Sequence, residues 1–186
     1  MRKILLLIFL LVGFGQGASA ATVHGITVEP TVKVGNELLQ LNGSGLRKKF
    51  FFKIYLGSFY ATQKVSSPEE VLQASGGKLI RMNFIYSRVQ RLDVLGAFAE
   101  GFHNNSPGFD NSAEEKTFLS WFRDDFVEGD VVDLAIDREG TVTAYQNFKP
   151  LGSLHSPELA KGILLIYFGK IPADENLKQG MLGQKS

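Results

Sequence analysis

The chain has 186 residues, 20 Lys and Arg against 19 Asp and Glu, and no cysteine. A balance this close to neutral excludes the basic surplus expected of a nucleic-acid-binding surface. The missing cysteines exclude disulfides, thiolate metal sites and thiol nucleophiles, so stability has to come from apolar burial, for which 15 phenylalanines are present.

The first 20 residues read as a secretory signal peptide. Arg2 and Lys3 are followed by an apolar run from Ile4 to Phe14, too short to span a bilayer comfortably, and then by the small residues Ala18-Ser19-Ala20. The expectation is a secreted protein, periplasmic if the source is Gram-negative, with a mature chain starting near Ala21 and no later segment of membrane length. Removing Arg2 and Lys3 from the 20 basic residues leaves 18 against 19 acidic ones. Residues 21–186 suit one domain.

Taken in order, Thr22–Glu29 alternates loosely and reads as a strand. Val32–Val34 and Leu38–Leu41 read as a hairpin turning at Gly35-Asn36. Asn42-Gly43-Ser44-Gly45 reads as a turn-rich break, and Phe50–Gln63 as one long aromatic strand in which Gly57 marks a bulge or a close approach. Ser67 and Pro68 open a short helix that ends before Gly76-Gly77. Lys78–Val89 alternates as a strand. Gln90–Asn104 has helical spacing, and Ser112-Ala113-Glu114-Glu115 is a capping box before a helix bearing Phe118, Trp121, Phe122 and Phe126. Asp130–Phe148 reads as two strands folded over Asp137–Gly140. Ser156-Pro157-Glu158 starts a helix through Tyr167, and the polar tail after Pro172 carries a marginal last one. Strands first, then helices around a return hairpin, predict an α+β fold: an antiparallel sheet with helices on one face.

No dinucleotide, phosphate-loop or nucleophile-elbow motif occurs. His24, His103 and His155 have no ligand companion at metal-site spacing and read as surface residues. Asp124-Asp125 and Asp130-x-x-Asp133 flank a turn, where acids are commonly just solvated. No cofactor, metal or catalytic set is therefore expected. What stands out is Arg47, eight residues before Tyr55. In extended chain an even separation places both on one face. A guanidinium in an apolar space calls for an anion, and a carboxylate held bidentately is the natural partner. On spacing alone, an exposed Arg47 and a Tyr55 packed in the core is the plainer reading.

Gly43-x-Gly45-x-Arg47, followed by Phe51-x-Lys53-Ile54-Tyr55-x-Gly57-x-x-Tyr60, resembles the signature of the chalcone isomerase-like superfamily, most closely its bacterial secreted branch. Lys78–Arg81, Gln90–Asn104, Glu114–Phe122, Asp130–Phe148 and Ser156–Gly169 resemble the family's later elements in order. The resemblance implies an open-faced β-sandwich with a cleft between sheet and helices. It also implies that most isomerase positions are replaced: the arginine is kept as Arg47, the strand threonine position is Tyr55, and the positions around the first covering helix are Gln90, Asp93 and Ala97. The hydroxyl position on the last long helix is Ile166. Isomerisation is therefore not expected. The Arg47–Tyr55 pair instead resembles the noncatalytic fatty-acid-binding members, which implies that a fatty acid or similar small amphipathic carboxylate binds there. Phe52, Ile54, Phe84, Phe98 and Phe102 are the expected lining. Two rival readings remain: an isomerase or lyase for a chalcone-like or enone substrate, and a structural or partner protein without a ligand.

Overall fold

A computed structural model describes residues 21–184. The expected signal peptide, residues 1–20, lies outside the described residues. In chain order the elements are β1 (Ala21–Val23), β2 (Ile26–Val28), β3 (Thr31–Val34), β4 (Glu37–Lys49), β5 (Phe52–Ala61), α1 (Pro68–Gln73), β6 (Lys78–Phe84), β7 (Arg88–Val89), α2 (Arg91–Asn105), α3 (Ala113–Ser120), β8 (Phe126–Val127), β9 (Val131–Ile136), β10 (Thr141–Gln146), β11 (Lys149–His155), α4 (Pro157–Phe168) and α5 (Glu175–Met181). Strands β11-β10-β9-β6-β5-β4-β3 form a seven-stranded sheet, antiparallel at every pairing; β1–β2 and β7–β8 are separate two-stranded ribbons.

Strand alternation divides the sheet into two faces. Tyr55, Phe59, Ile80, Met82, Phe84, Val132 and Leu134 meet Val71 of α1, Phe98 and Phe102 of α2, Phe118 of α3, the buried side of α4, and Leu177 and Met181 of α5 in one core. All five helices therefore cover the same face. The opposite face holds a smaller cluster of Leu39, Leu56, Tyr60, Leu79 and Ala135, to which the β1–β2 ribbon adds Val28, Val23 and Ile26. This is the predicted α+β arrangement of an antiparallel sheet layered by helices on one side.

The helix starts follow their capping residues. Ser67, Ser112, Ser156 and Asp174 each accept a hydrogen bond from a backbone N–H three residues on, so that one otherwise unpaired donor is satisfied at each N-terminus. The box at Ser112 is only half made: Glu115 accepts from the Asn111 N–H, not from that of Ser112.

Several boundaries differ from the sequence reading. Thr22–Glu29 is not one strand but a hairpin, because His24 and Gly25 both take positive φ (50° and 82°) and reverse the chain. The expected break at Asn42–Gly45 is interior strand, and β4 runs straight through it. The reversal falls instead at Phe50-Phe51, so the long strand starts at Phe52. β6 stops at Phe84, where the Ile85 and Tyr86 N–H groups both turn to the Ile54 carbonyl. α3 ends at Ser120, which leaves Phe126 on β8. β11, unmarked in sequence because Pro150 and Gly152 interrupt it, is an edge strand, where a missing N–H is tolerated.

The glycines of Gly43-Ser44-Gly45 explain why β4 continues. A Cβ at either position would run into the backbone of α5, at Gly180 for one and Leu177 for the other. Their lack of a side chain lets α5 lie directly on the strand. Asn42 fixes the adjoining irregularity, its buried amide donating to the Val65 and Met181 carbonyls and accepting from the Val65 N–H.

Candidate functional site

Arg47 on β4 and Tyr55 on β5 are register partners, and Tyr55 is in turn paired with Phe84 on β6. Three adjacent strands thus bring a cation, a phenol and an aromatic ring side by side. The Arg47 guanidinium donates to the Tyr55 hydroxyl at 3.5 Å and sits 5.6 Å from the centre of the Tyr55 ring. The Tyr55 and Phe84 rings lie 5.5 Å apart. The turn at Phe50-Phe51 makes the pair cross-strand neighbours; the even spacing within a single strand is not what joins them.

Three arginine–carboxylate ion pairs and a His103–Asp110 contact are present among the described residues, and Arg47 is in none of them. It is half-buried. The Tyr55 phenol, with smaller contributions from Tyr167 and Asp174, outweighs burial and holds the guanidinium above its ordinary range. It is a fixed cation at any working pH. Asp174 is already engaged, accepting from the Lys48 N–H at 3.1 Å and from the Leu177 N–H at 3.0 Å, so it both caps α5 and ties that helix to the end of β4.

Tyr167 of α4 completes the group from the helix layer. Its hydroxyl donates to the Met82 sulfur at 3.2 Å. Burial pushes this phenol well above its ordinary value, and the neighbouring Tyr55 adds to that while Arg47 works against it. The site therefore joins one permanent positive charge to two phenols.

Beside these residues lies a cleft of about 600 Å³, between the β4–β5 hairpin, the end of β6 and the N-terminal half of α2. Its size falls within the roughly 300–1,000 Å³ usual for small-molecule sites. Phe52, Ile54, Tyr55 and Phe84 form the sheet side, with Val94 and Ala97 opposite. The charged residues lining it are Arg47, Lys48 and Lys49 on the hairpin, Arg88 on β7, and Asp93 and Glu100 on α2. Such a space takes a molecule with an apolar body and an anionic end.

Of the residues singled out in sequence, Arg47, Tyr55, Phe52, Ile54 and Phe84 come together at the cleft, whereas Phe98 and Phe102 do not. Phe98 packs on Phe118 and Phe122, and Phe102 on Phe109 and Phe118, as core residues of α2 whose apolar side faces α3 and α4. Asp93 and Ala97 line the cleft, Gln90 is the exposed N-cap of α2, and Ile166 packs against Gly101. The three histidines are exposed. Asp133 is paired with Arg81, and Asp125 with Arg88. Among the described residues no cluster of His, Asp and Glu could hold a metal, and no helix is long and apolar enough to cross a membrane.

Tyr167 and Met82 were not singled out from the sequence. A signal for Tyr167 existed: α4 is buried on nearly all sides, and a phenol on so apolar a helix needs a polar partner. Met82 offered none, since a thioether on the inner face of a strand reads as packing.

Comparison with known proteins identifies the fold and the family. Fatty-acid-binding protein 1 of Arabidopsis thaliana is 25% identical over 174 residues, which cover 77% of this chain and 62% of that protein. The chain thus spans just under two thirds of the length of this curated relative. The crystal structure of an Arabidopsis thaliana fatty-acid binding protein superimposes with a TM-score of 0.74 at 21% identity, covering 88% of this chain and 96% of the other, which shows a shared fold. The sequence profile described as chalcone isomerase-like matches residues 20–183. The chain belongs to the chalcone isomerase-like family.

Proposed function

We propose that the cleft binds a fatty acid or a similar amphipathic carboxylate, and that the protein carries the ligand without transforming it. The observation that supports this most is Arg47: a half-buried guanidinium without an ion pair among the described residues, donating to a phenol in a cleft that Phe52, Ile54 and Phe84 also line. A carboxylate there accepts from the guanidinium and from the Tyr55 O–H. Each such charge-assisted bond contributes about 1.5–3 kcal/mol. The acyl chain, lying along Phe52, Ile54 and Phe84, adds about 0.8 kcal/mol per buried methylene. The Arabidopsis relative, named for fatty-acid binding and matched in both sequence and structure, supports the ligand class. Gln90, Asp93 and Ala97 stand where the resemblance calls in turn for a phenol, a cation and an amide, and Ile166 where it calls for a hydroxyl, which supports a binding role.

The test is native mass spectrometry of the purified protein together with mass analysis of an organic extract. A co-purifying acid that is absent from Arg47→Ala supports the reading. An acid retained by Arg47→Ala contradicts it, as does a wild-type mass that no fatty acid shifts. Export is part of the same proposal and rests on the N-terminal sequence; a secreted form beginning near Ala21 is its expected product.

A further inference from the structure

The β4–β5 hairpin ends in a feature that the ligand site uses only in part. Phe50, Phe51 and Phe52 are 85%, 97% and 54% exposed, three consecutive aromatic rings at one tip. Single exposed apolar residues are ordinary, but a contiguous cluster marks an interaction surface. The turn is also conformationally costly. Phe50 takes φ 56° at the first central position of a two-residue hairpin, where glycine is favoured because a side chain is strained there. Phe51, almost wholly exposed, gains no burial within the chain in return.

The surroundings of the tip point to what covers it. Lys48, Lys49 and Lys53 flank the three rings, all exposed, and none is in an ion pair among the described residues. Aromatic side chains ringed by lysines have the composition of a segment that seats at a lipid interface, with rings among the acyl chains and ammonium groups at anionic headgroups. The tip is also the rim of the cleft: Phe50, Phe52, Lys48 and Lys49 line it, and Leu92, 68% exposed, faces them from α2.

We propose that the Phe50–Phe52 tip docks the protein on an anionic lipid bilayer, with the mouth of the cleft against the membrane. Docking itself stands apart from the ligand reading. Its consequence, that an amphipathic acid passes between bilayer and cleft without crossing water, rests on that reading.

The test uses vesicles of phosphatidylcholine alone and with added phosphatidylglycerol. The proteins are the wild type and a Phe51→Ser, Lys53→Glu variant with the same N-terminus; both changed positions are exposed and neither lines the cleft. The wild type is expected to sediment with the anionic vesicles and to be released by salt, and the variant to bind them weaker by roughly tenfold or more. Palmitate affinity in solution should be unchanged in the variant. A Phe51→Trp reporter should shift its emission to the blue in anionic vesicles. Equal vesicle binding by wild type and variant overturns the proposal. So does a reporter shift that follows protein concentration without lipid, because the tip then docks on a second copy. If the wild type fails to bind palmitate, the ligand reading alone falls, and the vesicle comparison still decides this one.

Discussion

Arg47 and Tyr55 face each other across a two-residue hairpin, the guanidinium donating to the phenol oxygen at 3.5 Å. The pair is held from both sides. β5 carries Tyr55 against Phe84, and α5, seated on the glycines of β4, fixes the strand end beside Arg47 through Asp174 and the Lys48 N–H. A cation and a phenol set rigidly in this way accept a carboxylate at little ordering cost.

Removing the phenol oxygen should weaken the ligand and leave the fold intact. Tyr55→Phe keeps the ring against Phe84 and loses one donor to a charged group, for which about 1.5–3 kcal/mol of binding is expected. Isothermal titration with a fatty acid measures it, and thermal melting should show little change. Unaltered affinity would place the carboxylate elsewhere.

The seating of α5 can be tested at two glycines of different kind. A Cβ at Gly45 would lie 2.7 Å from the Leu177 Cα, an atom of the helix backbone that has nowhere to go. At Gly57 the clashes are with the Leu177 Cδ1 and the Met181 Cε, both 2.6 Å away and both at ends of flexible side chains. Gly45→Ala should cost about 1–3 kcal/mol in urea unfolding, and Gly57→Ala less. The reverse order would mean that α5 is not held where the glycines place it.

Two buried tyrosines set an alkaline limit. Burial pushes Tyr60 up to about 12 from an ordinary 10.0, its hydroxyl having no hydrogen-bond partner among the described residues, and burial raises Tyr167 in the same direction. The folded state therefore keeps protons that the unfolded chain releases. This contribution to stability is complete below pH 10.0 and is lost as the pH climbs through the folded values. Phenolate absorbance followed with circular dichroism should show these two rings ionising only together with loss of structure, and Tyr60→Phe and Tyr167→Phe should each remove one ring from that step. Ionisation of both with the fold unchanged would refute it.

On the face away from the helices, Arg81 and Asp133 form a bidentate pair, both contacts at 2.7 Å, between neighbouring strands and largely out of water. Deleting one partner strands the other charge, so Asp133→Ala should destabilise by about 3–5 kcal/mol, and Arg81→Met with Asp133→Leu by clearly less. Equal losses in the single and double variants would show that packing, and not the unpaired charge, sets the cost.

Much of this was legible in the sequence because local chemistry and tertiary structure agree there. Ser67, Ser112 and Ser156 start helices where their side chains cap, and Gly35-Asn36 turns where a hairpin turn residue is expected. The arginine–tyrosine pair was found, though through the wrong geometry. The glycines at 43 and 45 read as a turn because glycine signals conformational freedom; here they serve close approach by a helix 130-odd residues later, which no local pattern announces. Conversely, Phe50-Phe51 lacks every usual turn residue, so the true reversal was hidden inside an aromatic run. Phe98 and Phe102 share helical spacing with Leu95, but only packing shows that their side of α2 faces α3 and α4 and not the cleft. The phenol of Tyr167 on an apolar helix signals a polar partner, but that the partner is Met82, on another element, no local pattern announces.

The most direct measurement titrates the wild type and Arg47→Met with a fatty acid and with the fatty alcohol of the same chain length. The account predicts that the wild type prefers the acid by roughly tenfold or more, and that Arg47→Met binds acid and alcohol alike. Equal affinities in the wild type, or a preference for the acid that survives Arg47→Met, would contradict it.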